Sequence, residues 1–232
     1  LQALREEVNQ AIVAADAKTA TADKPAVAEE RLFDISKIDF AKLLAEFQRS
    51  KRKQTTVQSL KAAIESRLAR LLAMNPARKD YQEQYEQIVR DYNREVDRAT
   101  VEATFQRLLL LSQGLNEEER RAVELGLDEE TLALFDLLRK PNLDKQGIEK
   151  LKNVSKGLLA TLKARLAEIA DWQATEGNRD GVRVTIHDYL YADSTGLPVE
   201  NYDGRDVEIK TNAVYEHVWR AYPTLPSPVY MS

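Results

Sequence analysis

The chain has 232 residues, 34 Lys/Arg against 38 Asp/Glu for a formal net charge of −4, and no cysteine. That length is enough to bury a core of ordinary size. The absence of cysteine excludes disulfides and thiolate metal sites, and the acidic balance argues against a strongly basic nucleic-acid module.

No apolar run is long enough to span a bilayer. The opening LQALREEVNQ is amphipathic and starts without Met. It reads as part of an excised piece of a larger cytoplasmic polypeptide, or of a processed product, and not as a signal peptide. Leu1, Leu4, Val8, Ile12 and Ala15 recur at helical spacing. The stretch 16–30, rich in Ala, Thr and charge, then reads as a variable linker. Residues 31–232 are expected to form the main helical domain.

Within 31–110 there are 16 Lys/Arg against 11 Asp/Glu, whereas the rest of the chain is acidic. FDISKIDF opens the domain with Ser36 and Asp39 at capping-box spacing, and Phe40, Leu43, Leu44 and Phe47 share one helical face. Val57, Leu60, Ile64, Leu68, Leu71 and Leu72 predict a second helix, capped by Thr55 or Thr56 and ended at Asn75-Pro76. Tyr81, Tyr85, Ile88, Tyr92 and Val96 form a third stripe, which can continue through Val101, Phe105, Leu108 and Leu109 to Gly114. Asn116 with Glu119 predicts a new, short helix that stops at Gly126.

Asp128 starts the next helix, with Leu132, Phe135 and Leu138 inward and Pro141 beyond its end. From Asp144 a long helix carries Ile148, Leu151, Leu158, Leu162, Leu166, Ile169 and Trp172. Gly147 and Gly157 weaken it by about 1 kcal/mol each relative to alanine unless packing requires them. Residues 182–190 fit a strand or a helix; helix is preferred, because the alternation fails at Asp188 and no partner strand is evident. A last helix spans 206–221 with Val207, Val214 and Val218 inward, and Pro223, Pro226 and Pro228 predict an extended tail. The expected fold is an all-α helical bundle with long antiparallel helices and a Pro-rich C-terminal tail.

Candidate chemistry is sparse. His187 and His217 lack a second ligand at metal spacing, and no phosphate loop or nucleophile elbow occurs. Glu208-Ile209-Lys210 matches half of a Mg²⁺-dependent nuclease motif, with Asp188 or Asp203 as the further carboxylate. That chemistry needs adjacent strands, and here the residues flank a predicted helix and a turn. Arg49, Lys51, Arg52 and Lys53 form a basic run that reads as a solvated loop or as a phosphate contact. Six of the nine tyrosines and one of the two tryptophans fall in 183–230, a concentration that suits a core or a contact surface.

In order, FDISKIDF, NPARKDYQEQYEQIVRDYN (75–93), GLDEETLALFDLLRKP (126–141), RVTIHDYLY (183–191), GLP and HVWRAYP (217–223) resemble the C-terminal helical region of the R (restriction, motor) subunit of type I restriction–modification enzymes. The likeness covers roughly residues 30–230. It implies an assembly role, attaching an ATP- and Mg²⁺-dependent DNA translocase and endonuclease to a methyltransferase core of M and S subunits. The nuclease and motor domains of that subunit precede this region, so the resemblance carries over no catalytic residue, metal ligand or cofactor site to any position here. On this reading Tyr189, Leu190, Tyr191, Trp219 and Tyr222 are the expected docking anchors. Partners are the M and S subunits, the subunit's own motor domains and DNA in the assembled complex, with no membrane.

Overall fold

The computed structural model describes residues 40–94, 97–141 and 143–231. The N-terminal helix, the linker, the Ser36–Asp39 start and Val96 lie outside the described residues. Those described are all-α: eight α-helices and one 3-10 turn, with no strand. The helices are α1 (Phe40–Arg49), α2 (Lys53–Met74), α3 (Lys79–Arg94), α4 (Arg98–Leu125), α5 (Glu129–Leu138), α6 (Lys145–Ala167), α7 (Glu176–Tyr191) and α8 (Gly204–Ala221), with the 3-10 turn Pro76–Arg78 between α2 and α3. The chain divides into two compact units, one taking residues up to Leu68 and Tyr81–Glu117, the other Ala69–Asp80 and Glu118–Ser232.

In the first unit, α3 runs antiparallel to α4. Near its start the Tyr81 hydroxyl donates to the Gly114 carbonyl at 3.4 Å, and near its end Asp91 accepts from Arg107 at 2.7 Å. The Tyr85 hydroxyl, donating to the Lys61 carbonyl at 3.3 Å, ties α3 to α2. Phe47 brings in α1, stacked on Phe105 with ring centroids 3.7 Å apart. Val57, Leu60, Ile64, Leu68, Tyr85, Ile88, Tyr92, Val101 and Leu108 complete this core. Each large apolar side chain so buried contributes about 1.5–3 kcal/mol.

Three expectations about this region change. The helix α2 begins at Lys53, so Thr55 and Thr56 lie inside its first turn, and Thr56 Oγ1 donates back to the Arg52 carbonyl. The third stripe does not run on: α3 ends at Arg94, and Asp97 opens α4 by accepting from the Thr100 amide at 2.6 Å. Nor does the chain break at Gly114 or Asn116. The helix α4 continues unbroken for 28 residues. Gly114 serves packing here, because a Cβ at that position would sit 3.3 Å from the Tyr81 ring.

The helix stops where glycine was expected to stop it. Gly126 has φ +67°, a conformation open to glycine at little cost. Its amide donates to Val123, and the Leu127 amide donates to Ala122, the two bonds of a Schellman motif.

In the second unit α5 packs on α6 and α8, α6 on α7, and α7 on α8, closing a ring of four helices. Side-chain caps start each of them: Asp128 accepts from the Thr131 amide, Asp144 from Gly147, Thr175 from Asn178, and Asp203 and Asp206 form a reciprocal capping box. A short chain therefore satisfies the orphan amides that would otherwise fray the helix starts. The most enclosed helix is α5, with Thr131 to Phe135 and Leu138 all buried. The expected α6 stripe overshoots its helix. Ile169 and Trp172 lie beyond Ala167, yet Trp172 is buried and its indole N–H donates to the Tyr222 carbonyl at 2.7 Å.

The tail is not an extended strand. Residues 223–230 form bends and turns that fold back, with Ser227 buried and its hydroxyl donating to the Ala221 carbonyl. At its end the Tyr230 hydroxyl donates to the Met74 carbonyl. Prolines restrict φ but leave the chain free to turn between them, and buried hydrogen bonds then determine its path.

Candidate functional site

Two buried polar systems engage titratable side chains of the second unit. Arg78 is almost fully buried and bonds Glu118 through Nε and Glu129 through Nη2, both at 2.9 Å. Burial alone would lower its pKa, but the hydrogen bonds and negative charge of Glu118 and Glu129 outweigh that and raise it. Arg121 adds ion pairs to Glu118 and to Asp136, and Asn75 donates to Asp136 at 2.6 Å. This is a structural network, with its carboxylates matched to guanidinium groups.

The second system is aromatic. His217 is buried with its Nε2 2.9 Å from the Tyr230 hydroxyl. Since that hydroxyl donates to Met74, it accepts from His217, which fixes the proton on Nε2. Burial, with Arg220 adding to it, pushes His217 down to about 4. The Tyr222 hydroxyl donates to Glu130 at 3.0 Å, and burial first of all pushes its pKa up. Neither histidine belongs to a metal cluster: among the described residues no group of three or more His, Asp or Glu is placed to hold an ion.

The Glu-x-Lys match lies on a helix and not on the adjacent strands that the nuclease motif needs. Glu208 and Lys210 lie on helix α8, and Glu208 is exposed. Lys210 Nζ instead donates to the Leu137 and Arg139 carbonyls at 2.8 and 3.0 Å, capping the end of α5. Burial lowers its pKa. Asp203 is an N-cap and Asp188 is exposed beside His187, so the four residues do not converge.

The expected docking anchors separate into core and surface. Leu190 and Tyr222 are 1% and 3% exposed and belong to the core of the second unit, so neither offers a surface to a partner. Tyr189 is half-buried against Gly157. Tyr191 is 65% exposed and Trp219 is 39% exposed, the latter edge-on to Trp172 at 5.5 Å between ring centroids.

The structure adds two residues that the sequence reading did not choose. Val184, 55% exposed, and His187 lie seven and four residues before Tyr191, on the face of α7 opposite Val182, Ile186 and Leu190. The His187 and Tyr191 rings stack in parallel at 5.8 Å. The signal was present in the sequence as apolar residues at i and i+7 outside the core stripe.

In the first unit the basic run is also divided. Lys53 pairs with Glu102 and sits 5.3 Å over the Phe47 ring, so it is spent on structure. Arg49, Lys51 and Arg52 are exposed. Hydrogen bonds from Lys53 first and Arg98 second hold the Glu102 carboxyl below its usual range.

The described residues form an all-helical module, with buried polar side chains that serve ion pairs and closure of the tail. Comparison with known families gives it a place: a family model described as type I restriction enzyme HindI endonuclease subunit-like, C-terminal, matches residues 2–219. The chain belongs to that family. No curated protein and no solved structure matches it.

Proposed function

We infer that this chain is a non-catalytic assembly domain, which docks the ATP-dependent translocase and endonuclease subunit of a type I restriction enzyme onto its methyltransferase core of M and S subunits. The observation that supports this reading most directly is the outward face of α7. Val184 and Tyr191 stand exposed two turns apart, with the half-buried His187 between them, while the opposite face fills the core. Exposed aromatic and aliphatic side chains grouped on one rigid helix are the composition of interface hot spots. The ATP, Mg²⁺ and DNA-cleaving chemistry then belong to other parts of the subunit, acting on cytoplasmic DNA. No described helix is long and apolar enough to cross a membrane.

The test is co-migration of the chain with a reconstituted M and S core on a sizing column. Tyr191→Ala combined with Val184→Asp is expected to abolish co-migration while leaving the melting temperature within a few degrees. Co-migration that survives this pair, or failure of the unaltered chain to co-migrate, would overturn the reading.

A second reading, DNA contact by the first unit, has its own support. Arg49, Lys51 and Arg52 are exposed and make no ion pair among the described residues.

A further inference from the structure

The antiparallel course of α3 brings a second set of cations to the end of the first unit that already carries the basic run. Glu102 receives both Lys53, from the start of α2, and Arg98, from the start of α4. Those two helix starts therefore lie within one carboxylate's reach of each other. Arg94 is the last residue of α3, four positions before Arg98 in the chain, and Asp91, one helical turn earlier, pairs with Arg107. Arg94 thus belongs to the same end as Arg49, Lys51, Arg52 and Arg98. Arg94 is exposed, as is Arg98 with 85% of its side chain in solvent.

The described carboxylates Asp91, Asp97 and Glu102 at this end each have a partner. Asp91 is held by Arg107, Asp97 caps the Thr100 amide, and Glu102 is shared by Lys53 and Arg98. The Arg98–Glu102 contact is a surface pair one turn apart, which competes weakly against a phosphate. Four of the five outward cations are arginines, whose planar fork matches phosphate oxygens. The aromatic rings Phe47, Phe105 and Tyr92 are buried and so cannot stack on bases. Binding to single strands relies on exposed stacking platforms; a cationic end without them suits the regularly spaced phosphates of a duplex.

We propose that Arg49, Lys51, Arg52, Arg94 and Arg98 form one composite, sequence-independent contact for the phosphodiester backbone of duplex DNA. This rests on the DNA-contact reading above and deepens it: two separate parts of the chain make the site, residues 49–52 and the pair Arg94 and Arg98, and it binds duplex and not single strand.

The experiment is fluorescence anisotropy of the 232-residue chain with a labelled 20-base-pair duplex between 50 and 200 mM salt. Five phosphate contacts give a slope of log K against log salt of about −4.5, a loss of about 500-fold over that range. Arg94→Ala with Arg98→Ala should make the slope shallower by about 1.8, and Arg49→Ala, Lys51→Ala and Arg52→Ala together by about 2.7. Arg205→Ala, an exposed arginine of the other unit, should leave it unchanged, and circular dichroism should show full helicity in every variant. Absence of binding at 50 mM salt overturns both this proposal and the DNA-contact reading. A response to the 49–52 variant but not to the 94/98 variant overturns the composite site and leaves DNA contact standing. Equal affinity for a 20-nucleotide single strand, or equally effective displacement by poly-glutamate of matched charge, also overturns it, the latter in favour of an acidic protein partner.

Discussion

The hydroxyl of Tyr189 occupies the space that a side chain at Gly157 would need. A Cβ built at Gly157 lies 1.9 Å from that oxygen and 3.1 Å from the ring carbon bearing it. The glycine that weakens α6 as an isolated helix is thus what lets α7 lie against it. Gly157→Ala is expected to lower stability by about 1–3 kcal/mol through overpacking, despite its better helix propensity. In a Tyr189→Phe background the same substitution should cost less, because the obstructing oxygen is gone and only the ring carbon at 3.1 Å remains close. A denaturant double-mutant cycle measures this coupling, and strictly additive effects would count against it.

Arg78 with Glu118 and Glu129 behaves as a buried ion network. Arg78→Ala leaves the half-buried Glu129 without its partner and the nearly buried Glu118 with Arg121 alone. A loss of about 3–5 kcal/mol is expected. Urea unfolding at neutral pH measures it, and a loss under 1 kcal/mol would mean that water replaces the guanidinium.

The depressed pKa of His217 makes stability depend on pH. Its folded value is about 4 against an ordinary 6.5, so the folded state binds fewer protons than the unfolded state between those values. The stabilisation is fully present above pH 6.5, falls as pH drops from 6.5 to 4, and is gone below that. The shift corresponds to roughly 3 kcal/mol. Comparing denaturation at pH 7 and pH 4.5 for the native chain and for His217→Gln should show a shallower pH dependence in the variant. Equal slopes would place the titration elsewhere.

The two tryptophans differ in what they hold. Trp172→Ala removes a buried ring and its hydrogen bond to the Tyr222 carbonyl, and should cost about 3–5 kcal/mol. Trp219→Ala removes a partly exposed ring from the edge of Trp172, with an expected cost of about 1–2 kcal/mol. Thermal unfolding ranks them, and a reversed order would put Trp219 in the core and remove it from any docking surface.

Much of the helical layout could be read along the chain, because its signals are local. Asp128, Asp144 and Gly126 act through hydrogen bonds or dihedral angles within a few residues of themselves, and each begins or ends a helix as its position predicts. Local signals misled at Gly114 and Asn116, where capping chemistry competes with packing. The Tyr81 ring from another helix needs the glycine, and the continuous helix wins.

The candidate site was less legible. Helix α7 carries apolar residues on two faces, Val182, Ile186 and Leu190 on one, Val184 and Tyr191 on the other. Hydropathy alone cannot choose which face the core takes, so Leu190 and Tyr191 could not be told apart as anchors. Lys53 likewise matched its basic neighbours until Glu102, 49 residues on, engaged it.

The sequence by itself determined the all-α class, most helix boundaries and the family, because each is encoded in local periodicity, caps and ordered motifs. The tertiary structure decided which aromatics are core, which cations are free, and that a proline-rich tail turns back to bond Met74 and His217. Those outcomes depend on partners far apart in the chain, and only packing brings such groups within hydrogen-bond reach.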